Sequence, residues 1–404
     1  MGNKKKICFV GECLECGGVE KSLIELLNKI DYTKYDVTIW LLIKVGKLMF
    51  QVPKEVKVRE IIIPEKEKID LQIGRGTSII SLLKQRRILT AGAKLVREGY
   101  MRLITHNPLQ RRICYYELIE NKIPICPEIY DVAIDYMGYG LFNTFYVAQK
   151  INAKKKISWV HFDPYLALPQ FYEYEKYLKK YQYIMCVSQN ILKQMEKMIP
   201  CLLNRYKVFY NIVDKDELHK IAEQKPMQKP EETTIVSVGR LSPQKGFDVG
   251  INVIDRLQKN GYQLRWFIIG EGEEQQKLKE QLNRLENVKN AVSLVGQKMN
   301  PYSYIDMCDI YFQPSRHEGY CIALAEARAF CKPIVVTDFA GAREQLKNNE
   351  TGIITGFSEN EIYEGLKKMI DHKELRMAFS CALAKQNDDW KAQVEMLQNI
   401  FDND

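Results

Sequence analysis

Thr234-Ile-Val-Ser-Val-Gly-Arg-Leu-Ser-Pro-Gln-Lys-Gly246 is the stretch that decides the fold. It opens as a short buried strand, Thr234–Val238, and breaks at Gly239. A helical pattern over 247–260 then takes over. Strand, glycine turn and helix in that order predict one unit of a parallel sheet. The alternation continues outward on both sides. Downstream, Trp266–Ile269, Val292–Val295, Ile310–Phe312 and Ile334–Val336 read as strands, between helical patterns at 273–285, 321–330 and 359–371. Upstream, Ile7–Val10, Val37–Leu42, Val58–Ile63, Val132–Ile134, Ile157–Val160 and Ile184–Val187 read as strands, with helical patterns at 19–30 and 168–180. The first of these also runs toward a glycine turn, Gly17-Gly18. The expected fold class is α/β, with two doubly wound Rossmann-like domains. In open α/β sheets ligands sit outside the carboxyl ends of the strands, so two such domains predict a ligand in a central cleft.

The polar stretch Gln224–Glu232 holds two prolines and precedes a fresh strand, so it reads as a linker. The expected division is 1–222, 223–385 and a tail, 386–404. In that tail Trp390, Val394, Leu397, Ile400 and Phe401 recur at helical spacing. The tail is expected to cross back to the first domain.

Composition narrows the function. Hydrophobic residues make up 46% and charged residues 27%, ordinary globular values that exclude a disordered or fibrous chain. No apolar run approaches the roughly 18–20 residues a membrane-spanning helix needs. The basic N-terminus is followed by only a short apolar run, Ile7–Val10, which argues against a signal peptide. Eleven scattered cysteines fit a reducing cytosol, with thiols serving as small apolar groups. Cys13 and Cys16 form one CxxC, and a zinc site would need a second ligand pair. The net charge of +8 invites a nucleic-acid reading, but no nucleic-acid module is recognisable. The charge is also unevenly spread. Residues 1–212 hold 34 basic against 21 acidic residues, and residues 213–404 hold 25 against 30.

Three segments of the second half carry chemistry. Arg240 and Lys245 place two cations after a strand-end glycine, Gly239, where Arg can fork onto a phosphate and Lys can act as a point charge. Ile268-Ile269-Gly270-Glu271-Gly272 is a turn that opens a helix; Gln275 stands where a dinucleotide fingerprint needs its last glycine. Pro314-Ser-Arg-His-Glu318-Gly319-Tyr320-Cys321-Ile322-Ala-Leu-Ala-Glu326-Ala327 holds two carboxylates eight residues apart. A helix starting near Gly319 would aim its first amides at an anion. It would also place Glu326 about two turns in, on a face similar to that of Glu318. Leu324, Ala325, Ala327 and Ala329 surround Glu326 with apolar neighbours, and a carboxylate in that setting needs partners. Two such carboxylates could hold hydroxyls on either side of a phosphate.

The set Gly239-Arg-Leu-Ser-Pro-Gln-Lys-Gly246 with Glu318 and Glu326 resembles the family 4 retaining glycosyltransferases of the GT-B fold, of the bacterial polysaccharide type. The likeness extends through Gly17-Gly18-Val19-Glu20, Trp159-Val160-His161-Phe162-Asp163, Val187-Ser188 and Tyr210-Asn211-Ile212-Val213-Asp214. It implies a nucleotide-sugar donor, with UDP favoured, held mostly by the second domain. On that basis Arg240 and Lys245 neutralise the diphosphate, Glu326 takes the ribose hydroxyls and Glu318 the sugar hydroxyls. Amides near Gly319, Tyr320, Cys321 and Ile322 approach the sugar or phosphate, the base lies near Val295–Gln297, and Gly17 and Gly18 close on the diphosphate. The family often has a small residue where Cys321 stands. His161 falls near the anomeric centre; Asp163, before Pro164, suits a turn equally well.

Catalysis would rest on fixed cations and amides aimed at the charge growing on the diphosphate. No Asp-x-Asp stands at a strand end, so no metal or other cofactor is expected, and Arg240 and Lys245 take a metal's place. Catalytic residues are expected to be His161, Arg240, Lys245 and Glu318. Competing readings are a nucleotide-sugar epimerase of the same fold and a non-catalytic sugar-nucleotide-binding scaffold.

The excess positive charge gathers over 84–112, at Lys84, Arg86, Arg87, Lys94, Arg97, Arg102, Arg111 and Arg112, with Glu98 the only acid. Ile79, Leu82, Leu83, Ile88, Leu89, Leu95, Val96, Met101, Leu103 and Ile104 interleave them. This predicts a cationic amphipathic segment on an anionic membrane surface, supported by Lys4–Lys6 and Lys154–Lys156. It suits a lipid-linked glycan acceptor and a cytoplasmic, peripheral position on the inner face of the cell membrane.

Overall fold

The computed structural model describes residues 4–70, 78–105, 108–138, 142–167, 174–386 and 390–403. Each apolar run becomes a strand because both faces of a parallel sheet are covered, which favours near-continuous hydrophobic sequence over alternation. In chain order the strands are β1 (Lys5–Gly11), β2 (Tyr35–Leu41), β3 (Lys57–Glu60), β4 (Ile129–Asp135), β5 (Asn152–Val160), β6 (Tyr183–Cys186) and β7 (Tyr206–Val208). They continue as β8 (Thr233–Val238), β9 (Leu264–Ile269), β10 (Val292–Gly296), β11 (Ile310–Gln313), β12 (Ile334–Thr337) and β13 (Ile353–Thr355). The first seven form one sheet in the order β3-β2-β1-β4-β5-β6-β7, and the other six a second, β10-β9-β8-β11-β12-β13. The pairings are parallel in both. In each sheet the order reverses beside the first strand of the set, β1 or β8, which marks where a doubly wound sheet opens a crevice.

The chain divides into two compact units, Met1–Tyr210 with Lys391–Asp404, and Asn211–Trp390. The first boundary therefore falls just after β7, earlier than the linker reading placed it. Helix Lys215–Glu223, assigned to the first domain by the sequence, packs in the second unit. Its Leu218 and Ala222 are buried in an apolar cluster with Tyr302, Ile305, Leu324 and Phe330. The prolines of 224–232 mark a stretch within that unit.

The final residues group with the first unit. In helix Trp390–Asp402, Val394, Leu397, Ile400 and Phe401 are buried, and Phe401 meets Tyr35 edge-on at 5.4 Å. Two lysines reach the free carbonyls at its carboxyl end. Lys5 Nζ donates to Phe401 O at 3.1 Å and Asp402 O at 2.7 Å, and Lys155 Nζ donates to Ile400 O at 2.7 Å. Cations there satisfy orphan acceptors and oppose the helix dipole. The neighbouring lysines are engaged too. Lys154 pairs with Asp131 at 2.7 Å, Lys156 donates to Ala148 O at 3.0 Å, and Lys4 to Tyr32 O at 2.7 Å. Charges read as part of a membrane field thus hold the amino ends of the strands and the last helix.

All eleven cysteines are free thiols, and Cys8, Cys126, Cys186, Cys308 and Cys321 are buried as small apolar groups. Among the described residues no helix is long and apolar enough to cross a membrane.

Candidate active site

Within the second unit, two loops at the carboxyl ends of β8 and β11 are joined to each other. The first turns through Pro243–Lys245 and Gly246 into helix Phe247–Lys259. Gly246 has φ of 65°, and a Cβ there would lie 2.0 Å from Pro314 O, so only glycine fits between the loops. Two further bonds close the seam: Arg316 N donates to Gln244 O at 2.8 Å, and Gln244 Nε2 donates to His317 O at 2.9 Å. Arg316 also forks onto Asp248 at 2.9 and 2.7 Å. The sequence reading passed over both partners of that pair.

This seam sets Lys245 against Glu318. Lys245 Nζ lies 2.5 Å from Glu318 Oε1, with the two side chains 15% and 8% exposed. Burial alone would pull the Lys245 ammonium down, but the Glu318 carboxylate outweighs it and lifts the group above its ordinary range. A shielded, charged ammonium is thus held at a strand end. The stem of Lys245 folds back over Gly239, where a Cβ would come within 3.0 Å of Lys245 Cε. Arg240 is exposed beside it.

Glu318 is held from behind by a buried polar chain. Tyr311 OH donates to Gln313 Oε1 at 2.8 Å, Gln313 Nε2 to Ser315 Oγ at 2.8 Å, and Ser315 Oγ to Glu318 Oε1 at 2.7 Å. Alternation along β11 puts Tyr311 and Gln313 on one face, and Ser315 just past the strand extends the row. The sequence reading missed this chain. Its signal was a polar group at every second position, Tyr311, Gln313 and Ser315, at the end of an apolar strand.

The helix after Glu318 begins at Ile322, later than expected, and spans Ile322–Ala329. Cys321 precedes it with φ of 66°, a left-handed conformation at a non-glycine residue. Gly319 and Tyr320 therefore lie in the turn, with Tyr320 O accepting from Gln345 Nε2. Glu318 lies outside the helix and Glu326 just over one turn inside, so the shared-face argument does not hold. The expectation that Glu326 is buried and needs a partner does hold: Tyr302 OH donates to Glu326 Oε1 at 3.0 Å. Burial, then the nearby Glu318 charge, pushes the Cys321 thiol up to about 12, which keeps it protonated and inert.

Gly270 and Gly296 pair through Gly270 N to Gly296 O at 3.1 Å. Gly270 has φ of 155°, and a Cβ there would meet Gly239 O at 1.9 Å. Gly239, Gly270 and the Val295–Gln297 segment are brought side by side in this way.

In the first unit, Gly17 is the N-cap of helix Gly18–Leu27, which has no side-chain cap. His161 follows β5 and is buried, its Nε2 2.8 Å from Tyr136 O. The carbonyl can only accept, so Nε2 carries the proton and Nδ1 keeps its lone pair. Burial drives His161 down to about 4, against the smaller effect of that bond, so the ring is neutral at ordinary pH. Asp163 accepts from Tyr165 N at 3.0 Å and Gln194 Nε2 at 3.2 Å, which is turn chemistry.

The residues match a known family over part of their length. Residues 219–386 fit the family described as Glycosyl transferases group 1. The matched residues fall within the second unit. A Campylobacter jejuni protein named N-acetylgalactosamine-N,N'-diacetylbacillosaminyl-diphospho-undecaprenol 4-alpha-N-acetylgalactosaminyltransferase is 32% identical over 174 residues, which are 43% of this chain and 46% of that one. The Staphylococcus aureus capsular polysaccharide biosynthesis glycosyltransferase CapM is 26% identical over 34% of this chain and 37% of its own. The chain spans 46%, 65% and 48% of three such relatives. Among solved structures, Anabaena HepE in complex with UDP and glucose is similar with a TM-score of 0.67 at 16% identity, covering 98% of this chain and 99% of that one. A mutant of Staphylococcus aureus TarM, in complex with UDP and glycan ligands, gives 0.70 at 15%, covering 99% and 100%. Likeness at this identity establishes the fold, two parallel-sheet Rossmann-like domains of the GT-B glycosyltransferases. Within the matched residues 219–386 lie Arg240, Lys245, Gly270, Val295, Glu318, Gly319, Tyr320, Cys321, Ile322 and Glu326; Gly17, Gly18 and His161 lie outside them.

The cationic segment also meets the structure. Lys84, Arg86 and Arg102 are exposed, Arg87, Arg97 and Arg111 half-buried, and the side chain of Arg112 lies outside the described residues. Lys94 departs from the reading: it is 2% exposed and 3.9 Å from Glu98. It shares the inward face with Ala91 and Met101, at helical spacing.

Proposed function

We propose that this chain is a retaining, metal-independent glycosyltransferase that moves a hexose or N-acetylhexosamine from a UDP-sugar to a lipid-linked oligosaccharide or surface-polysaccharide precursor. The observation that carries the donor site is the buried Lys245–Glu318 pair at the strand ends, braced by Ser315 and Gln313. Relatives whose names specify a diphospho-undecaprenol glycan or a capsular polysaccharide support the acceptor class, and neighbours in complex with UDP support the base.

In this reading Lys245 exchanges its Glu318 contact for the donor diphosphate, and Arg240 forks onto the same phosphates. Glu318, released but still held by Ser315, accepts from sugar hydroxyls; Glu326, held by Tyr302, accepts from the ribose. The bond between the anomeric carbon and the diphosphate oxygen breaks with its electron pair on UDP. The acceptor oxygen attacks from the same face, and its proton passes to a phosphate oxygen. Fixed cations stabilise the growing charge without reorganising. The enzyme works at the inner face of the cell membrane, where a lipid-linked acceptor is presented.

The test is turnover of UDP-sugars over an acceptor panel with excess chelator present. Full activity is expected. Loss restored by magnesium contradicts metal independence, and an epimerised donor formed without acceptor contradicts transfer.

A further inference from the structure

Helix Ile88–Ile104 is amphipathic in the unexpected sense. Its inward face holds Ala91, Lys94 and Met101, whereas its outward face is almost wholly apolar. Leu89 is 90% exposed and Leu103 86%, with Ile88, Leu95, Val96 and Tyr100 also exposed. At 100° per residue these six fall on one continuous side of the helix. Gly92 and Gly99 lie on the same side, and a Cβ at either would meet nothing within 4 Å. The preceding helix, Ile79–Lys84, adds exposed Ile80 and Leu83. Exposed apolar groups so concentrated on a water-soluble surface mark a contact with something else.

Charge decides what. Lys84 and Arg86 are exposed just before the helix, and Arg102 is exposed at the edge of its apolar face. Two copies of this face packed together would gather like charges, whereas an anionic headgroup layer complements them. At about 1.5 Å per residue the helix is some 25 Å long, but it lacks the apolar length to span a bilayer. A helix with an apolar face, basic edges and a tyrosine suits the plane of the interface.

We infer that helix Ile88–Ile104 inserts its Leu89–Leu103 face into the headgroup boundary of an anionic lipid bilayer. Insertion, with charge as an aid, is the source of binding. This goes beyond the donor site and stands apart from it, since vesicle binding requires no turnover.

The test is co-sedimentation of the full chain with vesicles of phosphatidylglycerol and phosphatidylcholine, at low and high salt. The wild type should bind and keep a substantial bound fraction at high salt. Leu89→Asp with Leu103→Asp should weaken partitioning at least about tenfold, while circular dichroism stays unchanged because both side chains are exposed. Arg86→Glu with Arg102→Glu should weaken binding at low salt and matter little at high salt. The inference is overturned if the wild type stays in solution, if high salt releases all of it, or if the aspartate variant binds normally. It is equally overturned if the wild type forms a dimer that the aspartate variant abolishes and no vesicle binding is seen.

Discussion

Lys245 and Glu318 are each other's partner in the free protein, and that pairing shapes what their removal should do. Lys245→Ala and Arg240→Ala should lower turnover by at least about a hundredfold, the scale of losing one preorganised charge contact. Lys245→Ala also strands a buried carboxylate, so a loss of stability of about 3 kcal/mol is expected alongside, measured by urea unfolding. Ser315→Ala removes one link behind Glu318 and should lower kcat about tenfold with donor KM little changed; Ser315→Thr should restore part of it. His161 carries a sign of its own. Its folded value of about 4 lies below the ordinary 6.5, so the neutral form belongs to the folded state. Stability is therefore full above about 6.5 and falls as pH drops toward 4, by about 3 kcal/mol at 1.4 kcal/mol per unit. His161→Gln should flatten that acid limb in unfolding experiments, while the activity profile between pH 6 and 9 should show no ionisation belonging to His161.

At the scale of elements, the strands were the most legible part of the chain. Buried parallel strands are continuous apolar runs, and those readings match the observed strands to within a few residues. Two strands escaped, Tyr206–Val208 and Ile353–Thr355, because three residues are too few to show any period. The late start of helix Ile322–Ala329 was illegible for another reason: Cys321 in a left-handed conformation carries no composition signal, unlike a glycine. Lys94 shows the reverse case. Its spacing from Ala91 and Met101 was visible, but counting charge along the segment hid which face each charge occupied. The Gly246 turn gives an element-scale prediction. Gly246→Ala must adopt φ of 65° and displace Pro314. It should cost at least about 2 kcal/mol, read as a lower thermal midpoint, and loosen the seam that sets Lys245 on Glu318.

For the molecule as a whole, the uneven charge has acquired several separate uses. Lys5 and Lys155 hold the carboxyl end of the last helix, Lys154 answers Asp131, and Lys84, Arg86 and Arg102 border an apolar surface. A single net figure could not distinguish these uses, since contacts between residues hundreds of positions apart leave no local pattern. The last helix belongs to the first unit, so Lys5→Ala with Lys155→Ala should speed hydrogen exchange over 390–403 and in β1 and β5. The second unit, Asn211–Trp390, should keep its protection. Uniform loosening of both units would contradict that assignment.

On the proposed function, the Lys245–Glu318 site binds the diphosphate of a UDP-sugar. Calorimetric titration of the folded wild type and of Lys245→Met with UDP, GDP and uridine tests it most directly. The wild type should bind UDP well above uridine. Lys245→Met should lose at least about tenfold in UDP affinity, one charge-assisted contact being worth 1.5–3 kcal/mol, and leave uridine binding unchanged. Equal UDP affinity in the two proteins would contradict the claim.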